Sequence, residues 1–344
     1  MVKWLAIPEA TKKNVYEQIA EKKGMSAFAV EKDWWVVQTL SVVFEMEVAS
    51  HLVFKGGTSL SKAWGLIQRF SEDIDLAIDR SYFDFKDELN TTQISKLKKT
   101  TGKYVEERFF DELIKGFEEK GFRGLNFELV EEKESDKDRK ININYPNVIK
   151  SSQGYMLPRV QIEISCRSLR EPFTIQAINS LVDESYPEAD FALPSIQIPT
   201  VNPERTFLEK IFLLHEEFHR PMDKMRVDRL SRHLYDVVKL ARTDIADKAL
   251  NDRELYEIIV IHRYKYTRIG HLNYNLHQPQ TIDPIPIPEI IDAWRADYNT
   301  MLELMIYDRN PPSFDQTIAE LTELKSRINK ITWRFEADFP ALFI

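Results

Sequence analysis

The most constraining feature of the sequence is a pair of glycines followed at close range by two alternating aspartates. Gly56 and Gly57 stand between an apolar segment and a helix-forming one, in a chain that has only 10 glycines. Asp73 and Asp75 open the run Asp-Ile-Asp-Leu-Ala-Ile, whose alternation predicts a strand with one buried face. This order predicts a strand, a glycine turn, a short helix and a second strand that carries paired carboxylates.

The spacing of the two aspartates predicts a metal site next to a phosphate site. Residues two apart on a strand point to the same face, so the carboxylates of Asp73 and Asp75 repel each other unless a cation lies between them. Such oxygen ligands suit Mg²⁺ that also carries substrate phosphates. A glycine pair at a helix start offers backbone N–H groups and a positive dipole end to phosphate.

The segment 160–166 predicts a strand whose polar face carries Glu163. Apolar residues occupy the alternate positions of this segment, which leaves Gln161, Glu163 and Ser165 on the other face. Glu163 is the natural third carboxylate for a metal shared with Asp73 and Asp75. The alternative is a solvated glutamate on a half-exposed strand.

The segments 54–62 and 69–76 resemble the glycine-pair and Asp-x-Asp signature of the polymerase-β-like nucleotidyltransferases. The full sequences of these two segments resemble the AbiEii/AbiGii (type IV toxin) branch of that superfamily. The segments 31–36, 203–210 and 232–236 match the same branch. The resemblance therefore runs from about residue 25 to about residue 240.

The resemblance implies Mg²⁺-dependent transfer of a nucleoside monophosphate from an NTP to an acceptor hydroxyl. It implies an RNA acceptor, above all the 3′ end of a tRNA, and the role of toxin in a toxin–antitoxin or phage-defence system with an antitoxin protein as partner. Two Mg²⁺ ions, with Mn²⁺ as the alternative, would be held by Asp73, Asp75 and Glu163. Lys210 and Asp236 complete the expected catalytic set. The expected nucleotide- and phosphate-binding residues are Lys55, Gly56, Gly57, Thr58, Ser59, Lys62, Ser71 and Arg232.

Three of these residues have plain alternatives. Lys210 borders an apolar helical stripe, so it is either a surface lysine with a buried alkyl chain or a residue that reaches the substrate. Arg232 and Asp236 are four apart on a predicted helix, so they form either a simple ion pair or part of a basic wall over residues 220–233. In the second case Asp236 would orient Lys210 or an arginine.

Two further patterns need separate interpretation. Glu31, Lys32 and Asp33 are either a solvated first helical turn or a substrate contact. The segment 215–219 satisfies the zinc-protease pattern H-E-x-x-H, but a third histidine at metzincin spacing is missing and Pro221 ends the helix almost at once. We therefore reject the zinc-protease interpretation.

Composition narrows the class of protein. At 344 residues, with 43% hydrophobic and 30% charged residues, the chain is long enough for two globular domains. The net charge of −8 argues against a generally basic protein that coats nucleic acid. A single cysteine, Cys166, excludes an internal disulfide and fits a reducing compartment. Since no apolar run reaches membrane-spanning length, we expect a cytoplasmic protein without membrane contact.

The predicted fold class is α+β, a nucleotidyltransferase-like mixed sheet with flanking helices, followed by a helical C-terminal domain. Residues 1–48 are predicted as N-terminal helices packing on the core. Residues 49–200 form the nucleotidyltransferase domain, with a helical insertion near 80–122. Residues 201–344 form the helical domain, with helices predicted near 204–219, 226–242, 252–265, 288–307 and 314–337. Two other functions stay open, an adenylyltransferase acting on a protein or small molecule and a catalytically idle nucleotide- or RNA-binding module.

Overall fold

The structure, a computed structural model, describes residues 2–71, 73–86, 88–130, 138–150, 157–166 and 172–340. The chain folds into two compact units. The first unit comprises Met1–Gly65 and Phe70–Val201, and the second comprises Leu66–Arg69 and Asn202–Ile344. Part of the connection between the glycine pair and the aspartates therefore belongs to the second unit. The division into domains at residues 48 and 200 stays a prediction.

The described part of the first unit contains one mixed sheet of seven strands, in the spatial order β3-β4-β5-β2-β1-β7-β6. The strands are β1 (Leu52–Lys55), β2 (Asp73–Ile78), β3 (Asn126–Leu129), β4 (Arg139–Asn144), β5 (Arg159–Ser165), β6 (Phe173–Ile178) and β7 (Ile196–Val201). The central strand β2 pairs antiparallel with β1 and parallel with β5. The strand predictions and the mixed sheet are confirmed.

Helices flank the sheet within the first unit. They are α1 (Glu9–Lys23), α2 (Ala27–Val43), α3 (Gly56–Lys62), α4 (Thr91–Tyr104), α5 (Phe110–Glu119) and α6 (Leu181–Ser185). α1 ends at Gly24 in the left-handed conformation, and α2 begins after Ser26, whose hydroxyl accepts the Ala29 N–H. A π-helical turn, Val105–Phe109, joins α4 to α5 in the predicted insertion. α2 is buried along nearly its whole length, which fits its place against the core.

The second unit is helical, as the sequence predicts. Its helices are α7 (Pro203–Phe218), α8 (Arg232–Ala241), α9 (Asp244–Asn251), α10 (Arg253–Tyr266), α11 (Ile291–Leu304) and α12 (Phe314–Asn329). Pro203 occupies the first turn of α7, where its missing N–H costs no hydrogen bond. Among the described helices, none combines the length and apolar composition needed to cross a membrane.

Two helix predictions are wrong at their ends. The helix expected over 226–242 begins only at Arg232, because residues 225–231 contain Arg229 with a left-handed φ of 58°. The helix expected over 314–337 ends at Asn329. The apolar spacing continued beyond both helices, so periodicity alone could not show where the backbone leaves the helical conformation.

Candidate active site

The acidic residues lie on one half-exposed face of the sheet. In β2, Asp73 and Asp75 are half-buried, whereas Ile74 and Leu76 are fully buried on the opposite face. The parallel register pairs Asp73 with Gln161 and Asp75 with Glu163. The sheet thus brings the three predicted carboxylates to adjacent positions on the same polar face.

Gly56 lies directly against the carboxylate of Asp75. A Cβ atom at Gly56 would stand 2.0 Å from Asp75 Oδ2, and the residue has a φ of +83°. Both observations require glycine at this position, since any side chain would displace the carboxylate or strain the backbone. Because Gly56 has no side chain, the Asp75 carboxylate can lie directly against the turn.

The carboxylate of Glu163 has a basic neighbour on the next strand. Lys140 of β4 lies opposite Glu163 in register, and its Nζ is 3.4 Å from Glu163 Oε2. Within the described ranges, no three His, Cys, Asp or Glu side chains converge closely enough to enclose an ion. The donor chemistry nevertheless fits a hard divalent cation, since all three groups are carboxylates at adjacent positions on a half-exposed face.

The hydroxyls predicted to bind phosphate are used inside the protein. The Thr58 hydroxyl donates to the backbone oxygen of Asp73, and the Ser59 hydroxyl donates to that of Gly56 at 2.9 Å. Both side chains are fully buried. Thr58 thereby fastens α3 to the first residue of β2, and Ser59 stabilises the glycine turn.

Three further residues predicted to bind phosphate lie near this turn, each in a different setting. Lys55 ends β1 and pairs in register with Asp75. Lys62 ends α3 and forms a buried ion pair with Asp33, with 2.8 Å between Nζ and Oδ1. Ser71 is half-buried, two residues before Asp73.

A second cluster of predicted site residues lies inside the helical unit. Arg69 Nε and Nη2 donate to the two carboxylate oxygens of Asp236 at 2.6 and 2.7 Å. Lys210 Nζ lies 2.9 Å from Asp236 Oδ2 and 3.3 Å from His233 Nδ1. The side chains of Lys210 and Asp236 are 8% and 0% exposed, so Lys210 is not a surface lysine. The Asp236 carboxylate thus contacts Arg69 and Lys210, and its role in orienting Lys210 toward a nucleotide stays a prediction.

Burial and charge shift the pKa values in this cluster. Burial, with Arg69 nearby, lowers the pKa of Lys210, although the Asp236 carboxylate opposes this effect. Burial and the adjacent Lys210 and Arg232 charges lower the pKa of His233 well below its usual value, so it is a neutral partner. Burial alone would raise the pKa of Asp236, but Arg69 and Lys210 hold it well below its ordinary range.

Part of the basic wall predicted over 220–233 is neutralised. The carboxylate of Glu217, itself buried, lies 2.6 Å from Arg226 and 2.9 Å from Arg220. Arg232 is the first residue of α8. The charge of this segment is therefore smaller than its count of arginines suggests.

The H-E-x-x-H pattern is used for packing. Glu216 accepts from both the Nε and the Nη2 of Arg263 and lies 3.2 Å from His277 Nε2. His215 Nδ1 accepts the backbone N–H of Asp283 at 3.0 Å. The side chains of His215 and Glu216 thus have protein partners inside the helical unit.

Arg69 and His233 were not assigned a role in the sequence analysis. Arg69 is the first residue of the segment 69–76 that resembles the family signature, but an arginine in a polar run carries no sign of burial. Its partner is 167 residues away in the sequence. The sequence carries no signal that identifies Arg69 as the partner, because only the fold shows that Asp236 is buried and therefore needs cationic partners.

A glycine turn packed against an acidic strand of a mixed sheet, with a helical region following, is the arrangement of a nucleotidyltransferase. The family model described as "Nucleotidyl transferase AbiEii toxin, Type IV TA system" matches residues 42–320. The chain belongs to this family, which confirms the resemblance seen in the sequence. It is therefore a nucleotidyltransferase of a toxin family, and the family implies a nucleotide substrate and an antitoxin partner.

Three of the solved structures that match the chain come from two bacteria. MenT4, a nucleotidyltransferase toxin from Mycobacterium tuberculosis, is 18% identical, with a TM-score of 0.42 and coverage of 94% of this chain and 99% of that one. JHP933 from Helicobacter pylori is 15% identical, with a TM-score of 0.39 and coverage of 85% and 90%. A putative nucleotidyltransferase from H. pylori is 15% identical, with a TM-score of 0.42 and coverage of 85% and 92%. No curated protein matches the chain.

Proposed function

We propose that this toxin-family enzyme transfers a nucleoside monophosphate from an NTP to a hydroxyl at the 3′ end of an RNA, with tRNA as the main acceptor class. The acceptor hydroxyl attacks the α-phosphorus, the bond to the β-phosphate oxygen breaks, and pyrophosphate leaves. The observation that carries the proposal is the contact between Gly56 and the Asp75 carboxylate. It joins the predicted phosphate turn to the predicted metal ligands within one unit.

The proposed metal ligands are Asp73, Asp75 and Glu163, and the proposed ions are Mg²⁺, with Mn²⁺ as a substitute. Bound there, a divalent cation would neutralise charge on the phosphoryl oxygens and on the attacking and leaving oxygens. The adjacent register positions and the all-carboxylate donor set support this assignment. Lys140 lies next to Glu163, where its positive charge offsets the repulsion between the carboxylates.

The proposed phosphate ligands are the backbone N–H groups at Gly56 and Gly57. The hydroxyls of Thr58 and Ser59 donate to protein carbonyls, so their part is to hold the turn in shape. Lys55 is retained as a phosphate-binding residue because it lies in register with Asp75. We also keep Ser71 among the phosphate-binding residues, because it lies two residues before the first residue of the acidic strand.

In the helical unit we propose that Lys210 binds the triphosphate, with Asp236 and Arg232 as its charged neighbours. A buried ammonium held by a carboxylate and a neutral histidine loses little conformational entropy on meeting an anion. Asp236 acts as the positioning residue, since Arg69 and Lys210 share its two oxygens.

An acceptor other than RNA is the second candidate, and two observations favour it. The net charge of the chain is −8, and the Glu217 carboxylate pairs with two arginines of the basic segment, which offsets one of their positive charges. An adenylyltransferase that acts on a protein or a small molecule would not need a broad basic surface.

The test is incubation of the purified protein with Mg²⁺, each α-³²P-labelled NTP in turn, and total cellular RNA or RNA-depleted extract. We expect label on a tRNA-sized band, in a reaction that EDTA stops and Mg²⁺ restores. The labelling rate at subsaturating RNA should fall as salt rises, because an RNA acceptor binds through its phosphates. Label only on protein or on small molecules would favour the second candidate, and label nowhere would favour an idle binding module.

A further inference from the structure

The second turn of helix α2 carries three consecutive charged residues that are almost completely buried. Glu31, Lys32 and Asp33 are 1%, 1% and 4% exposed. Buried charges are costly unless each has partners, so the question is what each side chain binds. Their burial excludes the solvated first turn, which was one of the two alternatives that the sequence left open.

Glu31 and Lys32 hold the two ends of one connection. The Glu31 carboxylate accepts the backbone N–H groups of Val148 and Ile149 at 2.7 and 2.9 Å. Lys32 Nζ donates to the backbone oxygen of Leu157 at 2.9 Å. These residues lie after β4 and before β5, so the two side chains tie down both ends of the connection that leads to the strand of Glu163.

Asp33 holds the end of the helix that the glycine pair begins. One of its oxygens lies 2.8 Å from Lys62 Nζ, and the other accepts the Leu181 N–H at 2.7 Å. Lys62 also lies 3.9 Å from Glu184. The Lys62 and Asp33 side chains are only 11% and 5% exposed, so each charge depends on the other for compensation.

Helix α3 is therefore fixed at both ends and in the middle. Gly56 packs against the Asp75 carboxylate, Thr58 donates to the Asp73 backbone oxygen, and Lys62 is held by Asp33. The helix has only seven residues, and so short a helix depends on such contacts for its position. A shift of α3 would move the glycine pair relative to both acids.

We infer that Asp33 and Lys62 are positioning residues, and that Lys62 sets the glycine pair against Asp75 through Asp33 rather than by binding phosphate. This inference rests on the proposed function for its kinetic readout. It changes the role that the sequence suggested for Lys62. It also gives the Glu-Lys-Asp segment a role that needs no contact with the substrate.

The test is a double-mutant cycle of Lys62→Met, Asp33→Asn and the double variant, with NTP kinetics measured at saturating acceptor. Methionine keeps the length of the lysine stem without its charge, and asparagine keeps an oxygen for the Leu181 N–H. We expect each single change to lower kcat about tenfold while KM for NTP changes less than about twofold, and the double variant to be no slower than the singles. Lys62→Arg should retain most activity. The matched control is Lys23→Met, since Lys23 also lies near Glu184 but is largely exposed.

Hydrogen–deuterium exchange without nucleotide supplies a readout that does not need catalysis. The peptide covering residues 56–62 should exchange at least about threefold faster in Asp33→Asn than in the wild type. A raised KM for NTP in Lys62→Met with Asp33→Asn at wild-type rates would overturn the inference, as would additive losses or unchanged exchange. If the wild type transfers no nucleotide at all, the proposed function fails, and the exchange result still decides the positioning role. If Lys62→Met fails to fold, Asp33→Asn and Lys62→Arg still provide both readouts.

Discussion

Arg69 and Asp236 form a two-point ion pair in the interior of the helical unit, with donor–acceptor distances of 2.6 and 2.7 Å. Both side chains are fully buried, and Lys210 shares the same carboxylate. Arg69 lies only four residues before Asp73 in the chain. The segment that leads into the acidic strand is thus fastened by a residue from the second half of the sequence.

Breaking this pair should strongly destabilise the protein. Arg69→Met leaves a buried carboxylate with one cation fewer, which typically costs about 3–5 kcal/mol of unfolding free energy. Urea unfolding of the variant measures the loss. Arg242→Gln is the matched control, because the ion pair of Arg242 with Glu320 is largely exposed and should contribute at most about 1 kcal/mol. Equal losses in the two variants would contradict a dominant role for the buried pair.

Gly56→Ala should abolish transfer, whereas Gly24→Ala should not. Both glycines have left-handed φ values, so either change should cost about 1–2 kcal/mol of stability. Only at Gly56 would the new Cβ meet the Asp75 carboxylate, since nothing lies within 4 Å of a Cβ at Gly24. We expect a rate loss of at least about a hundredfold for Gly56→Ala alone. Comparable rates in two folded variants would show that the close contact is irrelevant to the reaction.

The stability of the helical unit should fall in acid because of Glu216. Burial alone would raise its pKa, but Arg263 and His277 bring it down to about 2 from an ordinary 4.5. A carboxylate with a lowered folded pKa stabilises the fold fully above pH 4.5 and loses that contribution as the pH falls toward 2. The contribution is about 3 kcal/mol. Urea midpoints across this pH range should show it, and Glu216→Gln should be less stable at neutral pH and lose this part of the acid dependence.

The control for that experiment is Glu254→Gln, since Glu254 is exposed in the first turn of α10. Its pH profile should follow the wild type. If Glu216→Gln keeps the full acid dependence, the pairing with Arg263 does not govern acid unfolding.

Lys210→Met should weaken use of the NTP. The change removes the proposed triphosphate cation while Arg69 still compensates Asp236, so we expect kcat/KM for NTP to fall at least about a hundredfold. Steady-state kinetics at varied NTP measure the effect. Lys239→Met is the control, because Lys239 of α8 pairs with Asp308 instead. Wild-type kcat/KM in a folded Lys210→Met protein would remove this residue from the proposed site.

The sheet and the acidic face were predictable because they depend on local patterns. Alternation fixed which face of β2 and β5 carries Asp73, Asp75 and Glu163, and the parallel register then brought them together. The turn at the glycine pair was predictable for the same reason, because a glycine pair between an apolar strand and a helix is a local pattern. What the pattern could not show is how close the turn comes to Asp75, since that contact arises between separate elements.

The charged residues were less predictable because their partners are distant in the chain. The position of Lys62 in the sequence predicts a phosphate-binding residue, but in the fold Lys62 forms an ion pair with Asp33. Lys210 and Asp236 were both named as site residues from the family resemblance, and they lie 2.9 Å apart, but the sequence did not indicate that Arg69 is the third member of this cluster. Pairing of charges depends on which ones are buried together, and one sequence does not reveal that.

The proposed metal site is best tested by the initial rate of labelled nucleotide transfer by Asp75→Asn and Glu128→Gln, measured beside the wild type. Glu128 lies on β3 of the same sheet, exposed, and has no place in the proposed site. We expect the rate to fall at least about a thousandfold in Asp75→Asn, with melting temperature retained, and to stay at the wild-type value in Glu128→Gln. Undiminished transfer by a folded Asp75→Asn protein would show that this carboxylate, although held against Gly56, is not part of the catalytic metal site.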